Sequence, residues 1–314
     1  LFQNPPDHTR LRALVQKAFT PRRVAQLRGK IQDVTNALLM QSEKQWERDG
    51  AVDLVTTFAY PLPVAVIVAL LGIPADDHHK FHQWSQALVD SLDLMGDPSR
   101  DPAISAANSG FRTYFDELIA QRRVHPGDDL LSALIAAEEA GDHLTADELY
   151  FNARLLLVAG YETTVGLIGN GTLALLRNPT QLASLQAEPL LIANAVEELL
   201  RFDSPIQMVG RTALTDVDFH GHHIAEGQSV GIMVGAANHD PVHFAQPESL
   251  QLNRPNVQHL SFGGGIHYCL GAPLARLEGQ IALQTLFRRF PQLRLLDENP
   301  PQRDNYVFRS LARL

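Results

Sequence analysis

Phe262-Gly263-Gly264-Gly265-Ile266-His267-Tyr268-Cys269-Leu270-Gly271-Ala272-Pro273-Leu274-Ala275-Arg276-Leu277-Glu278 contains the only cysteine of the 314-residue chain. Glycine is favoured where the backbone takes positive φ or presses close against something large. The run of glycines from Gly263 to Gly265 therefore predicts a tight turn leading to Cys269. Pro273 suits the first turn of a helix, where its missing N–H would be an orphan anyway. The stretch thus presents one sulfur at the positive end of a helix, and such an end favours the thiolate. One cysteine cannot close an intrachain disulfide, and one sulfur with His267 nearby gives too few ligands for a structural zinc. Read alone, the stretch also suits a buried free cysteine in a glycine turn.

The whole chain narrows the choice. It is 45% hydrophobic, enough for a large core in one domain or two. A formal net charge of −9 disfavours a general nucleic-acid binder. A single cysteine argues against an extracellular disulfide scaffold and fits a reducing cytoplasm. The longest apolar run, Val64 to Leu71, is bracketed by Pro61, Pro63, Gly72 and Pro74. It falls far short of the ~20 residues of a membrane helix. Residues 1–30 carry seven Lys and Arg against one Asp. That basic segment reads as a solvated helix face or as a docking surface for an acidic partner.

Working outward, Pro5 and Pro6 predict an extended entry. Leu11, Leu14, Val15, Ala18 and Phe19 follow with helical spacing, and His8 and Arg12, four apart, share one face. Residues 24–49 read as one long helix and 64–71 as a buried one. His78, His79 and His82 read as a solvated polar helix rather than a metal site. Asp93 to Asp101 reads as a loop before a helix from Ala103 to Arg123. Thr145 and Glu148 form a T-x-x-E capping box, opening a helix that Pro179 stops. From Ala146 to Asn178 it spans ~50 Å at 1.5 Å per residue, and being apolar all round it must cross the core.

In the middle of that helix, Ala159-Gly160-Tyr161-Glu162-Thr163-Thr164 breaks several local rules together. A glycine costs ~1 kcal/mol there, and a buried Glu costs more unless paired. Such a cluster marks a functional site, although a packing glycine beside a satisfied Glu is the plainer alternative. Further on, Glu198 and Arg201 stand three apart and pair easily on a helix, a weak signal by itself. From Ser204 the texture becomes β-rich. Val209 to Val217, Phe219 to Ile224 and Ser229 to Met233 read as short strands and hairpins, and Tyr306-Val307-Phe308 as a last strand or turn.

Phe262, Gly263, Gly265, His267, Cys269 and Gly271 fit F-G-x-G-x-H-x-C-x-G, which resembles the haem-binding loop of the cytochrome P450 family. The resemblance extends through ordered motifs over essentially the whole chain. It implies that Cys269 is the axial thiolate of a haem b iron, a ligand type that pushes electron density towards O–O cleavage. Ala159 to Thr164 resembles the family's oxygen-binding groove, with Ala159 and Gly160 against the cofactor and Glu162 and Thr163 as its acid–alcohol pair for proton delivery. Glu198 and Arg201 resemble the family's E-x-x-R, a structural brace behind the haem. His8, Arg12 and Arg211 fall where the family reaches the haem propionates. Val158, Ile206, Met208, Val209 and Phe308 fall at the substrate pocket. Asn238-His239-Asp240-Pro241 resembles the loop before the haem, but arginine is more usual at His239, which puts a third partner for the brace in doubt.

The implied fold is mainly α with a small β-rich part, one haem-thiolate domain over residues 1–314 with the cytochrome P450 fold. The family's N-terminal sheet, helix and pocket-roofing loop have no counterpart here, and a fragment and a real truncation both stay open. The implied activity is monooxygenation of a small hydrophobic organic substrate, using dioxygen and two electrons from a ferredoxin or flavodoxin with its NAD(P)H reductase. Neither nucleic acid nor membrane is an expected partner, and the expected location is cytoplasmic. The alternatives are a peroxide-dependent haem enzyme on the same fold and a non-catalytic helper homologue.

Overall fold

The computed structural model describes residues 3–91, 98–139 and 144–314. Among these the helices are α1 (Asp7–Ala18), α2 (Pro21–Gln26), α3 (Arg28–Asp49), α4 (Pro61–Leu70), α5 (His78–Asp90), α6 (Asp101–Val124), α7 (Leu130–Glu139), α8 (Ala146–Arg177), α9 (Pro179–Ala187), α10 (Ile192–Phe202), α11 (Val234–Ala237) and α12 (Ala272–Arg289). Strands β1 (Met208–Thr212), β2 (Val217–Phe219), β3 (His222–Ile224) and β4 (Ser229–Met233) form two small antiparallel sheets. β1 pairs with β4 from Met208↔Met233 to Thr212↔Ser229, and β2 pairs with β3. The mainly helical reading with a small β-rich part holds. No helix among the described residues is long and apolar enough to cross a membrane.

α8 organises the rest. Its capping box forms as the sequence indicates: the Glu148 N–H donates to Thr145 Oγ1, and Glu148 Oε2 accepts from the Thr145 N–H. Leu149, Leu156, Leu157, Val165, Ile168 and Leu175 are buried against neighbours on several sides. α8 packs on α4, α5, α10 and α12, and so crosses the core as its all-round apolarity requires. Gly160 suits this packing, because a Cβ there would stand 3.0 Å from Ile67 Cδ1 of α4.

Several local expectations need correction. Residues 24–49 are not one helix. Thr20 Oγ1 accepts from the Arg23 N–H and Pro21 opens α2, so a short helix forms first and turns at Leu27 into α3. Thr-Pro is a helix start, and the apolar period running through it hides the break. Pro6 is not extended but helical at the entry to α1, where its lack of an N–H costs nothing. α6 runs from Asp101, so that helix begins earlier than Ala103. A π-helical turn, Val55–Ala59, leads into α4. Val209 to Val217 divides between β1 and β2, and Phe308 makes an isolated antiparallel bridge to Ile206. The backbone at His78, His79 and His82 belongs to α5, whereas their side chains lie outside the described residues, as does most of the loop from Asp93.

Candidate functional site

The cysteine loop is built as its glycines dictate. Gly263 and Gly265 take φ of 68° and 63°, left-handed values that favour glycine. The Cys269 N–H donates to the Phe262 carbonyl at 2.8 Å and closes the turn. α12 starts at Ala272 with Pro273 in its first turn, so its first free N–H groups face the sulfur. Burial pushes the Cys269 thiol up, while the N–H groups of Gly271 and Ala272 and the charges of Arg12 and Arg276 pull it down. The helix end thus favours the thiolate, and burial outweighs it.

Basic side chains gather beside this loop. His8 of α1 is buried, and its ring lies 4.4 Å from that of His267. His8 Nε2 is buried without a hydrogen-bond partner. Arg12, one turn on, donates to the Tyr268 carbonyl at 2.6 Å. Both imidazoles are pushed below the ordinary histidine range, chiefly by burial and then by nearby positive charge: Arg12 for His8, and His8, Arg211 and Arg12 for His267. Arg211 itself is exposed on β1 and donates to its neighbour's carbonyl, the Gly210 oxygen. The site therefore joins His8, Arg12 and His267 closely and leaves Arg211 at its margin.

Between Leu156 and Leu175 α8 opens at one place. Ala159 is exposed and Gly160 and Thr163 are half-buried in a stretch otherwise buried. Ala159 and Thr163, four apart, share that face. Thr163 Oγ1 donates to the Ala159 carbonyl at 3.1 Å, and Thr164 Oγ1 donates to that of Gly160 at 3.4 Å. Glu162 points elsewhere and is 2% exposed. It accepts from Arg303 Nη1 at 3.0 and 3.2 Å and from Ser310 Oγ at 3.1 Å. Arg303 also bonds Gln86 of α5. Arg303 and Ser310 were not legible as partners, because they lie 141 and 148 positions from Glu162.

Glu198 and Arg201 form a fully buried pair on α10, with Nε–Oε2 at 2.8 Å and Nη2–Oε1 at 2.9 Å. The third partner doubted from His239 is present in another place. Arg254 Nε donates to both Glu198 oxygens at 3.1 and 3.0 Å, and the Gln251 N–H adds a bond at 3.0 Å. His239 instead bonds the Gly235 carbonyl through Nδ1 at 3.0 Å. Arg201 also donates to the carbonyls of Asn238, Pro247 and Ser249, tying α10 to the loop that leads to the cysteine. Of the expected pocket residues, Val158 and Phe308 are buried, Ile206 is bridged to Phe308, and Met208 and Val209 are half-buried.

The model of the cytochrome P450 family matches residues 1–310. The polyketide biosynthesis cytochrome P450 PksS of Bacillus subtilis (strain 168) is 47% identical over 94% of this chain and 71% of its own length. The vitamin D(3) 25-hydroxylase of Pseudonocardia autotrophica is 43% identical over 100% of this chain and 76% of its own. Among solved structures, P450BioI in complex with a hexadec-9Z-enoic acid ligated acyl carrier protein superposes with a TM-score of 0.93 at 40% identity, covering 100% of this chain and 79% of that one. With a glycine turn presenting one cysteine, an exposed face midway along α8 and a buried E-x-x-R, this chain belongs to the cytochrome P450 family of monooxygenases.

Proposed function

We propose that this chain, as one domain over residues 1–314, binds haem b through Cys269 and oxidises a small hydrophobic organic substrate with dioxygen and two electrons from a redox partner. The observation that carries this reading is a cysteine sulfur set beside a wholly basic cluster. Burial holds the Cys269 thiol up, and a bound metal cation would supply the charge that ionises it. His8 Nε2, buried without a partner, and the cations of Arg12 and Arg211 suit the two carboxylates of a porphyrin. The residues present thus fit the group that the family implies.

Thiolate-ligated haem, when bound, supplies the oxidising chemistry by favouring O–O cleavage. The rest is the work of the chain. Phe262, Gly263 and Gly271 shape the loop that holds the sulfur. Ala159 keeps the groove on α8 free of bulk, and Thr163 places a hydroxyl on the same face. That hydroxyl donates to the Ala159 carbonyl, so its lone pairs are free to accept from a water and hold it on this face; passing a proton on requires the O–H to turn from that carbonyl. Glu162 is the neighbouring acid, held by Arg303 and Ser310 one step round the helix. Glu198 and Arg201 brace the frame. Val158, Ile206, Met208, Val209 and Phe308 give the substrate an apolar wall.

Relatives support the substrate class. They include the 6-deoxyerythronolide B hydroxylase of Saccharopolyspora erythraea, 43% identical over 93% of this chain. The Glu162–Thr163 pair favours dioxygen over peroxide as the oxidant, with a ferredoxin or flavodoxin and its NAD(P)H reductase as electron source. The deciding experiment is a carbon monoxide difference spectrum of the haem-loaded protein beside Cys269→Ser. The wild type is expected to show the thiolate-type band and the variant to lose it while staying folded. An unchanged band in the variant overturns the assignment.

A further inference from the structure

A second ionic cluster, separate from the Glu198 brace, stands around the cysteine loop. Arg276 of α12 grips Glu197 of α10 with two nitrogens, Nε–Oε1 at 2.6 Å and Nη2–Oε2 at 2.8 Å. Its guanidinium lies 4.5 Å from the ring centroid of Phe262, and its Nη1 donates to the Tyr268 hydroxyl at 3.2 Å. Phe262 and Tyr268 are the two residues that frame Cys269, one closing its turn and the other preceding it. His259 completes the cluster. Its Nδ1 accepts from the Ser261 N–H at 3.1 Å, so Nε2 carries the proton and donates to Glu197 at 3.2 Å. Burial would raise the Glu197 carboxyl, but the bonds from Arg276 and His259 outweigh it and hold it down at about 2.

We propose that the Glu197–Arg276 pair is a positioning device for Cys269 whose two opposite charges set how readily the metal held by that sulfur is reduced. The inference rests on Cys269 being the axial ligand. Arg276 is the nearer charge, touching both residues that frame the sulfur, with Glu197 behind it on α10. The pair is one-third exposed or less, so water screens it only in part. A cation beside a thiolate-bound metal favours taking up an electron, and the anion behind the cation offsets that effect. His259 fixes the carboxylate through its Nε2 hydrogen bond, and the pair adds one cation and one anion to the Arg12 charge already near the sulfur.

The opposite signs give a test that mere support of the loop cannot imitate. The haem-loaded protein and its Arg276→Gln, Arg276→Lys and Glu197→Gln variants are titrated spectroelectrochemically for the midpoint potential. A carbon monoxide spectrum of each verifies the thiolate. Arg276→Gln is expected to lower the potential and Glu197→Gln to raise it, each by about threefold in the reduction equilibrium, or roughly 28 mV at 59 mV per decade for one electron. Arg276→Lys, keeping the charge, stays near the wild type. If Arg276→Gln loses haem, Glu197→Gln and Arg276→Lys still decide. Shifts of the same sign, or no shift in Glu197→Gln, overturn the proposal. A thiolate band surviving in Cys269→Ser overturns the ligand assignment instead, and is read independently of the potentials.

Discussion

Glu198→Ala should be the most damaging single substitution in the brace, and the bonding pattern says why. Within the brace, Glu198 serves two guanidiniums, with Arg201 and Glu198 side chains at 0% exposure and Arg254 at 6%. Removing one partner of a buried pair costs ~3–5 kcal/mol, because the charge left behind is unpaired. Glu198→Ala leaves two such charges and should sit at or above ~5 kcal/mol, comparable to the whole stability of many domains at 5–15 kcal/mol. Arg201→Ala leaves Glu198 still paired with Arg254 but orphans the carbonyls of Asn238 and Pro247, each worth ~1–3 kcal/mol. Arg254→Ala orphans the carbonyls of Ala245 and Gln246 in turn, but it leaves the two-nitrogen Glu198–Arg201 pair whole and removes a side chain that water already reaches, so it should cost least. The assay is urea unfolding by circular dichroism together with haem content per chain. The expected order of both losses is Glu198, then Arg201, then Arg254. A Glu198→Ala protein within ~1 kcal/mol of the wild type, or an Arg254→Ala protein less stable than the Glu198→Ala protein, would refute the reasoning.

Three other outcomes follow from features of the site and core. Thr163→Ala should bind haem and substrate yet consume NAD(P)H with peroxide replacing much of the product, and wild-type product per NAD(P)H would make the threonine a packing residue. Arg303→Gln should loosen the Glu162 carboxylate and lower product yield, with Arg303→Lys recovering part of it, as read by product and peroxide measured together. Glu278 of α12 is 1% exposed, its Oε2 has no hydrogen-bond partner, and burial raises its carboxyl well above the ordinary range. A raised folded value means stability is full below the unfolded value and is lost as pH rises through the folded one. Glu278→Gln should therefore melt higher than the wild type at pH 7, by ~2–4 °C per kcal/mol recovered, with the gain vanishing below ~pH 4. An equal gain at both pH values would rule out ionisation as the cause.

What the sequence made legible depends on how far apart the cooperating residues lie. The loop from Phe262 to Gly271 is a local device, its glycines and cysteine fixed by one turn, so its spacing survives in the linear order. The capping box of α8 and the Glu198–Arg201 step are local for the same reason. Arg254, Arg303 and Arg276 were invisible as partners because each meets its carboxylate only after helices pack, and nothing periodic links the two positions. Gly160 shows the opposite limit. Its cost in a helix was plain, but its close approach to Ile67 was not, because the linear order places that residue far away.

The segment that carries Arg303 and Ser310 also carries Arg309, whose carbonyl accepts from Asn170 at 2.9 Å and whose Nε pairs with Asp203 at 2.7 Å, and Leu314, whose N–H donates to Asp53 at 3.0 Å. It is thus sewn to α8, to the end of α10 and to the turn before α4. On a ribosome adding ~5–20 residues per second, Arg303 emerges roughly 7–28 s after Glu162. For that interval α8 exists with its acid bare of both partners, and an uncompensated carboxylate resists leaving water. The centre of the longest helix therefore stays wet while the rest of the nascent chain gathers around it. It dries only when the segment carrying Arg303 and Ser310 threads back, so a stretch made well after α8 decides when the interior closes.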